Sequence, residues 1–124
     1  MTLGISVDPL SSTAAVVAVR GELDVATAPE LRSALRAVTE DTAVAFVVIN
    51  LSELEFIDST GLGVLIGCAR RLRERGNGGE VRIACSRAHI VRVFEITSLD
   101  AVFPIFAGVA DACAGLLEPL PRAP

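Results

Sequence analysis

The sequence predicts an α/β domain built around a largely parallel sheet. Segments with the pattern of strands alternate with segments with the pattern of helices, in the order β-β-α-β-α-β-α-β-α. The segment Ala43–Leu51 is almost continuously apolar, which is typical of a strand covered on both faces. Of the 124 residues, 52% are hydrophobic and 21% are charged, which indicates one folded domain and excludes intrinsic disorder.

The first two elements have the pattern of strands. Residues Leu3–Val7 fit a short edge strand. The segment Ala14–Val19 is apolar and rich in β-branched side chains, and it ends at a predicted turn at Arg20-Gly21. We therefore expect two strands before the first helix.

The first helix is predicted to begin near Thr27 and to run to about Val38. Thr27 is followed three residues later by Glu30, which is the spacing of a capping box, and Pro29 falls in the first turn, where its missing N–H is harmless. Four side chains recur at the spacing of one buried helix face: Leu31, Ala34, Leu35 and Val38.

The second half of the chain continues the alternation after the apolar strand. In order, we predict a helix over about residues 60–75, a strand over Val81–Cys85, a helix capped by Ser86 that runs to about Ile96, a short strand over Ala101–Ile105, and a last helix over Phe106–Leu117. Pro104 places the short strand at the edge of the sheet. Residues 118–124 are rich in proline, so we expect a domain over residues 1–117 followed by a tail.

Composition excludes several classes of function. The net charge is −4, whereas nucleic-acid binding proteins usually carry a basic stripe. We therefore do not expect the protein to bind nucleic acid. The three cysteines are widely spaced and form neither a disulfide framework nor a zinc pattern, so we expect no metal site and no cofactor. His89 is the only histidine and is expected at the surface, which leaves no obvious catalytic residue. Residues Met1–Leu10 lack a basic segment and the chain has no apolar run of about 20 residues, so we expect no signal peptide and a cytoplasmic location away from the membrane.

The segment after the apolar strand places three polar residues, Asp58, Ser59 and Thr60, at the start of a helix. A helix N-terminus presents free N–H groups and the positive end of the helix dipole, and it therefore favours anions, including phosphate. Two interpretations stay open at this point. Asp58 or Ser59 is the N-cap of the helix, or a hydroxyl here is modified or binds a partner.

A helical wheel gives this helix two faces. The predicted core stripe consists of Leu62, Leu65, Ile66, Ala69 and Leu72. The opposite face is predicted to hold Thr60, Val64, Gly67 and Arg71. Val64 would then be an exposed apolar side chain flanked by Gly63 and Gly67, and it would form either a docking surface or one of the isolated exposed hydrophobic residues that are normal in proteins.

The same glycines only approximate a nucleotide-binding loop. A dinucleotide fingerprint needs its glycines directly after a strand, but about ten residues separate Leu51 from Gly61. The third glycine, Gly67, also comes one position late, and a Walker loop needs a lysine, which the chain lacks. We therefore do not expect nucleotide binding.

Three blocks of sequence carry a family resemblance. The first is Asp58-Ser59-Thr60-Gly61-Leu62-Gly63, which follows a strand ending in Asn50-Leu51-Ser52. The others are Gly21-Glu22-Leu23-Asp24 with Thr27-Ala28, and the C-terminal segment over residues 93–106. Together they closely resemble the STAS-domain anti-sigma factor antagonists, over roughly residues 13–112.

The resemblance implies a STAS fold, with a mixed sheet of about five strands and about four helices packed mainly on one face. It also implies partner switching. The unphosphorylated antagonist binds an anti-sigma factor and so releases a sigma factor. The anti-sigma factor is usually also a serine kinase of the histidine-kinase-like ATPase type. It phosphorylates the serine after the motif aspartate, here Ser59, with Thr60 as the second candidate. A phosphatase of the PP2C type reverses the modification.

Carried over to this sequence, the family's partner-binding positions are Asp24, Asp58, Ser59, Thr60, Gly61, Gly63, Val64 and Gly67. One departure concerns Ser98, where the family often has glycine. A serine there would cost about 1 kcal/mol if its backbone is left-handed. The resemblance also leaves a second function open, a STAS module that acts as a stressosome-like scaffold or as an accessory subunit of a lipid transporter. A small enzyme is disfavoured for want of suitable catalytic residues.

Overall fold

Strands and helices alternate through the computed structural model, which describes residues 3–116. The elements are β1 (Gly4–Ser11), β2 (Ala14–Leu23), α1 (Ala28–Glu40), β3 (Phe46–Ile57), α2 (Ser59–Glu74), β4 (Glu80–Ala84), α3 (Ala88–Ile96), a short 3-10 helix (Leu99–Ala101), β5 (Ile105–Phe106) and α4 (Val109–Ala112). The predicted order of strands and helices is confirmed, and the 3-10 helix is an addition.

The five strands form one mixed sheet in the order β1-β2-β3-β4-β5. Strand β1 runs antiparallel to β2, whereas β2, β3, β4 and β5 are parallel to their neighbours. The carboxyl ends of the four parallel strands therefore lie at the same edge of the sheet. The prediction of a mixed, largely parallel sheet is confirmed.

The helices divide unequally between the two faces of this sheet. Val47 and Ile49 of β3 point into the larger core, which also contains the buried side chains of α1, α2 and α3. Val48 points the other way and packs with Ala112 and Leu116, in and just after α4. Both faces of β3 are thus covered, as its apolar sequence predicts. The expectation that the helices lie mainly on one face is confirmed.

The strands differ from their predicted lengths. Strand β1 runs to Ser11, and β3 begins at Phe46 but continues to Ile57. Strand β2 does not end at the predicted turn. It passes through Gly21, whose φ is +100°, and the register with β3 shifts directly after it. Gly21 therefore forms part of an irregularity within the strand, because glycine adopts a positive φ without strain.

Two predicted helix caps are wrong. Thr27 has a helical backbone and makes no capping hydrogen bond through its side chain, so the capping box with Glu30 does not form. The hydroxyl of Thr27 bonds to the preceding loop instead. Pro29 does lie in the first turn of α1, as predicted. At α3 the N-cap position is Arg87 and not Ser86, because the backbone stays extended for one residue more.

The C-terminal elements are shorter than predicted. Residues 99–101 are 3-10 helix, and only Ile105–Phe106 pair with β4, which places β5 at the sheet edge as Pro104 indicates. Helix α4 has four residues, Val109–Ala112, in place of the predicted twelve-residue segment. Residue 117 and the predicted tail over residues 118–124 lie outside the described residues. The backbone of Ser98 is left-handed, with a φ of +60°. This is the conformation for which a cost was expected at a position where the family often has glycine.

Candidate functional site

The predicted site lies at the carboxyl ends of β2 and β3. Leu23 and Ile57 are paired in register, and the residues that follow them are Asp24 and Asp58. The backbone N–H of Asp58 donates to the carbonyl of Leu23 at 3.2 Å. The parallel register therefore brings the two acidic residues to adjacent strand ends, although 34 positions separate them in sequence.

Asp58 is the N-cap of helix α2. Its backbone is extended, and its Oδ1 accepts a hydrogen bond from the backbone N–H of Gly61 at 3.0 Å. The carbonyl of Asp58 accepts from the N–H of Leu62 at 3.0 Å, which closes the first helical turn. This assigns the capping role, which the sequence left open between two residues, to the aspartate.

Ser59, the first residue of α2, is exposed. Its hydroxyl makes no hydrogen bond with any of the residues from 3 to 116. Thr60 is half-buried and likewise makes no side-chain hydrogen bond to that part of the chain. Ser59 is thus the more accessible hydroxyl, and the fold does not use it. It lies where the free N–H groups and the helix dipole favour an anion.

The carboxylate of Asp24 organises the loop between β2 and α1. Its Oδ1 accepts from the N–H of Ala26 at 3.0 Å and from the N–H of Thr27 at 3.1 Å. In return, the hydroxyl of Thr27 accepts from the N–H of Asp24 at 3.0 Å and donates to the carbonyl of Glu22 at 2.7 Å. Asp24 is therefore a structural residue of this loop as well as a predicted partner contact.

The three glycines of α2 lie in different surroundings. A Cβ on Gly61 would come within 2.6 Å of the Leu23 Cγ, so this glycine allows the start of α2 to pack closely on the sheet. A Cβ on Gly63 would meet nothing within 4 Å, and one on Gly67 would meet only a side-chain atom of Arg71, at 3.9 Å. Gly63 and Gly67 follow Ser59 at intervals of four residues and so share its side of the helix.

The prediction that Val64 is exposed is wrong. Its exposed fraction is 5%, and it belongs to the main core. The predicted core stripe was too narrow, because α2 is also buried at Gly61, Val64 and Cys68, while Ile66 is only partly buried. A helix that lies between a sheet and α1 buries a wider arc than a single stripe. Val64 is consequently not available to a partner at the surface.

Two exposed apolar side chains lie near the strand ends. Val25 follows Asp24 directly and is 71% exposed, and Phe56 precedes the last residue of β3 and is 46% exposed. Phe56 is paired in register with Glu22 of β2. Polar, acidic and apolar groups thus lie within a few residues of Ser59, a mixture that is typical of protein interfaces.

Sequence reasoning missed two residues that hold the end of β3. Strand β4 pairs with β3 only as far as Asn50, so residues 51–57 extend beyond it. Arg87 covers this open edge, donating from Nε to the carbonyl of Ser52 at 2.9 Å and from Nη1 to that of Leu54 at 3.3 Å. The Nε2 of His89 lies 2.8 Å from the carbonyl oxygen of Glu55. His89 is at the surface, as predicted, but no sequence signal indicated its contact with β3.

The part of the chain that the structure describes contains three thiols and no cluster of potential metal ligands. Among residues 3–116 no group of three or more His, Cys, Asp or Glu side chains could hold a metal ion. The thiols of Cys68, Cys85 and Cys113 are buried, and this burial raises the pKa of each. No helix in this part of the chain is long and apolar enough to span a membrane. The arrangement at Ser59 is suited to binding and to accepting a phosphate.

Comparisons with known proteins agree with the fold and the motif. The model of the STAS domain family matches residues 8–112. An anti-sigma-B factor antagonist of Staphylococcus aureus is 37% identical over 92 residues, which cover 74% of this chain and 82% of that protein. Among solved structures, an anti-sigma factor antagonist from Mycobacterium paratuberculosis aligns with a TM-score of 0.80 and 32% identity, over 89% of this chain and 90% of that one.

A more distant likeness extends to a modified protein. The Bacillus cell fate determinant SpoIIAA, solved in its phosphorylated form, aligns with a TM-score of 0.71 and covers 91% of this chain and 99% of that one. Its identity of 21% shows a shared fold alone. With a family match over most of its length and a relative at 37% identity, the chain belongs to the STAS domain family.

Proposed function

We propose that this protein is an anti-sigma factor antagonist that is switched off by phosphorylation of Ser59. The observation that carries the proposal is the exposed hydroxyl of Ser59 at the N-terminus of α2, next to an aspartate that already caps the helix. The relatives named as anti-sigma factor antagonists support the general role. In the proposed role the chain is a binding protein and a kinase substrate, not an enzyme, and it acts in the cytoplasm.

The unphosphorylated protein binds its anti-sigma factor through the exposed side of α2 and the adjoining strand ends. Gly63 and Gly67 support this assignment because no packing within the fold requires them. Each glycine costs an exposed helix about 1 kcal/mol relative to alanine. Their benefit in this proposal is a smooth surface that a partner approaches closely. Val64 and Gly61 are buried, and they act by shaping the helix and not by contact.

The proposed partner is an anti-sigma factor that is also a serine kinase of the histidine-kinase-like ATPase type. In the transfer step, the Oγ of Ser59 forms a bond to the γ-phosphorus of ATP and the bond to the ADP oxygen breaks. The hydroxyl proton passes to a base of the kinase. A phosphatase of the PP2C type then hydrolyses the phosphate ester and restores the serine.

The phosphate acts locally in this proposal. It adds about −1.5 to −2 charges at a helix N-terminus, which favours negative charge, so the fold tolerates it. A protein of the same fold has been solved in a phosphorylated form, which is consistent with that tolerance. The new charge stands beside the carboxylates of Asp58 and Asp24. Together they repel an acidic or apolar partner surface that the neutral serine accepts.

Site mapping by mass spectrometry tests the acceptor. The wild type and the variants Ser59→Ala and Thr60→Val are incubated with ATP and lysate of the source organism, and the recovered protein is digested and sequenced. We expect one phosphate on Ser59 in the wild type and in Thr60→Val, and none in Ser59→Ala. Phosphate on Ser59→Ala that disappears in Thr60→Val would move the acceptor to Thr60. An unmodified wild type, with a control kinase substrate phosphorylated in the same lysate, would contradict the switch.

A further inference from the structure

The strongest unassigned feature is a cleft between the C-terminal halves of α1 and α2. It has a volume of about 270 Å³ and is lined by Arg36, Thr39, Glu40, Arg71 and Arg75. We propose that this cleft binds a phosphate-type anion, with the guanidinium groups of Arg36 and Arg71 as its ligands. The proposal is independent of the function proposed for Ser59.

The charge of the cleft is opposite to that of the chain. Three arginines line it together with one acidic residue, Glu40, whereas the whole chain carries a net charge of −4. No ion pair within residues 3–116 joins Glu40 to any of these arginines, and none involves Arg36, Arg71 or Arg75. The lining residues thus carry a net positive charge on an acidic protein, which attracts anions.

Arg75 has a structural role in the wall of the cleft. Its Nη1 donates to the carbonyl of Val44 at 2.9 Å, and its Nη2 donates to the carbonyl of Thr39 near the end of α1. These bonds tie the end of α2 to the end of α1 and to the loop before β3. The two helices that form the cleft are therefore held at a fixed separation, while the charge of Arg75 remains unpaired.

Arg36 and Arg71, in contrast, have unused donors. Neither guanidinium makes a hydrogen bond or an ion pair with the described part of the chain. The Nε of Arg71 is shielded from solvent and has no partner there. A buried donor without a partner is unfavourable, so a bound oxyanion that accepts from this guanidinium would relieve that cost. The structure therefore presents two arginines that are available as ligands.

The chemistry of these groups selects the kind of anion. A guanidinium presents parallel N–H groups that match two oxygens of a phosphate, and arginine is the preferred residue for such bidentate recognition. A cleft of about 270 Å³ has room for a phosphate and a small organic group attached to it. The ligand is thus inorganic phosphate or the phosphate group of a small monoester.

The charges of Arg71 and Arg75 also act on the buried thiol of Cys68. Burial raises the pKa of the Cys68 thiol to about 11, and the charges of Arg71 and Arg75 act in the opposite direction. Twelve residues along α2 separate Ser59 from Arg71, which is about 18 Å at the helical rise of 1.5 Å per residue. The Nη1 of Arg71 lies 3.9 Å from where a Cβ on Gly67 would be, so the cleft is distinct from Ser59 but borders the side of α2 that carries Gly67.

Nuclear magnetic resonance tests the cleft directly. The Nε–H of a shielded arginine gives its own signal, and that of Arg71 is identified by its loss in Arg71→Gln. Sodium phosphate, glycerol phosphate and sodium chloride are titrated separately at one pH and matched ionic strength. We expect a saturable shift of the Arg71 signal with phosphate and none with chloride. A shift with glycerol phosphate at lower concentration would identify the monoester as the better ligand.

Variants provide the controls. Arg36→Gln changes an exposed residue of α1 and should weaken phosphate binding at least five-fold without unfolding the protein. Arg73→Gln removes an exposed arginine of α2 that does not line the cleft, and it should bind like the wild type. Equal responses to phosphate and chloride, or equal loss in Arg73→Gln and Arg36→Gln, would reduce the effect to general screening and overturn the proposal. So would the absence of any shift.

Discussion

Asp58 and Ser59 are neighbours in sequence, but they have separate roles. The carboxylate of Asp58 caps α2 by accepting from the N–H of Gly61, whereas the hydroxyl of Ser59 has no bond to the described residues. A phosphoacceptor that also capped the helix would lose its structural bond on modification. Because Asp58 and not Ser59 caps α2, the proposed phosphorylation of Ser59 would leave the cap in place.

Urea denaturation of two variants measures how much Asp58 and Ser59 each contribute to the free energy of unfolding. We expect Asp58→Ala to lower the free energy of unfolding by about 1 kcal/mol, because it removes the N-cap. We expect Ser59→Ala to change it by less than about 0.5 kcal/mol, as is usual for exposed residues without contacts. A loss in Ser59→Ala equal to that in Asp58→Ala would mean that the serine supports the fold.

Ser98 is strained in the left-handed region, with a φ of +60° and no side-chain capping bond. We predict that Ser98→Gly raises the free energy of unfolding by about 1 kcal/mol, because glycine adopts this conformation without the Cβ clash. Ser33→Gly is the matched control. It lies on the exposed side of α1 and should instead destabilise the protein, since glycine disfavours a helix. Destabilisation in both variants would refute the assignment of strain to Ser98.

Helix α2 has one glycine that packing requires and two that it does not. The Cβ of an alanine at position 61 would clash with Leu23 and crowd Ile57, whereas positions 63 and 67 are open. Glycine is therefore needed for packing at position 61, whereas packing does not require it at positions 63 and 67. Only the three-dimensional surroundings distinguish them.

Alanine substitutions in α2 should distinguish the glycine that packing requires from the two that it does not. We predict that Gly61→Ala destabilises the protein, while Gly63→Ala and Gly67→Ala each stabilise it by about 1 kcal/mol. The proposed docking role adds that Gly63→Ala, although more stable, should bind the anti-sigma factor more weakly. Thermal melting and a binding assay give the two readouts. A more stable Gly63→Ala variant with unchanged affinity would show that the partner does not contact position 63 closely.

Residues 51–57 of β3 extend beyond β4 and have an open edge. The guanidinium of Arg87 donates to two carbonyls of this edge and holds the strand in place. We predict that Arg87→Ala speeds amide exchange in residues 52–57 about ten-fold, equivalent to about 1.4 kcal/mol, without changing exchange in residues 46–50. Arg92→Ala removes an exposed arginine of α3 that makes no such bond, and should change neither. Unchanged exchange at residues 52–57 in Arg87→Ala would show that this contact does not hold the strand.

The sequence predicted the elements of this fold better than their details. The continuous apolar run identified β3, because a strand covered on both faces needs it, and the motif placed Asp58 and Ser59 at a helix start. The burial of Val64 could not be predicted from a wheel, because the arc that α2 buries depends on how α1 lies against it. The lost capping box at Thr27 has a similar cause, since its hydroxyl bonds to Asp24 and Glu22 across a loop.

In the molecule as a whole, the sheet and its helices form a rigid support for the proposed switch at Ser59. The carboxyl ends of β2 and β3 fix Asp24 and Asp58 side by side, and α2 presents Ser59 at their edge. The core lies beneath these residues and does not depend on the serine hydroxyl. The proposed phosphorylation would therefore change the surface without changing the fold, which is what the proposed partner switch requires.

Affinity capture tests this central proposal most directly. Wild type, Ser59→Asp and Thr42→Asp are used as parallel baits in lysate of the source organism, and bound proteins are identified by mass spectrometry. Thr42→Asp adds the same charge in the exposed loop before β3, at the opposite end of the sheet. We expect wild type and Thr42→Asp both to enrich a kinase-type anti-sigma factor, which Ser59→Asp loses. Equal recovery by all three baits, with scaffold or transporter subunits in place of an anti-sigma factor, would contradict it.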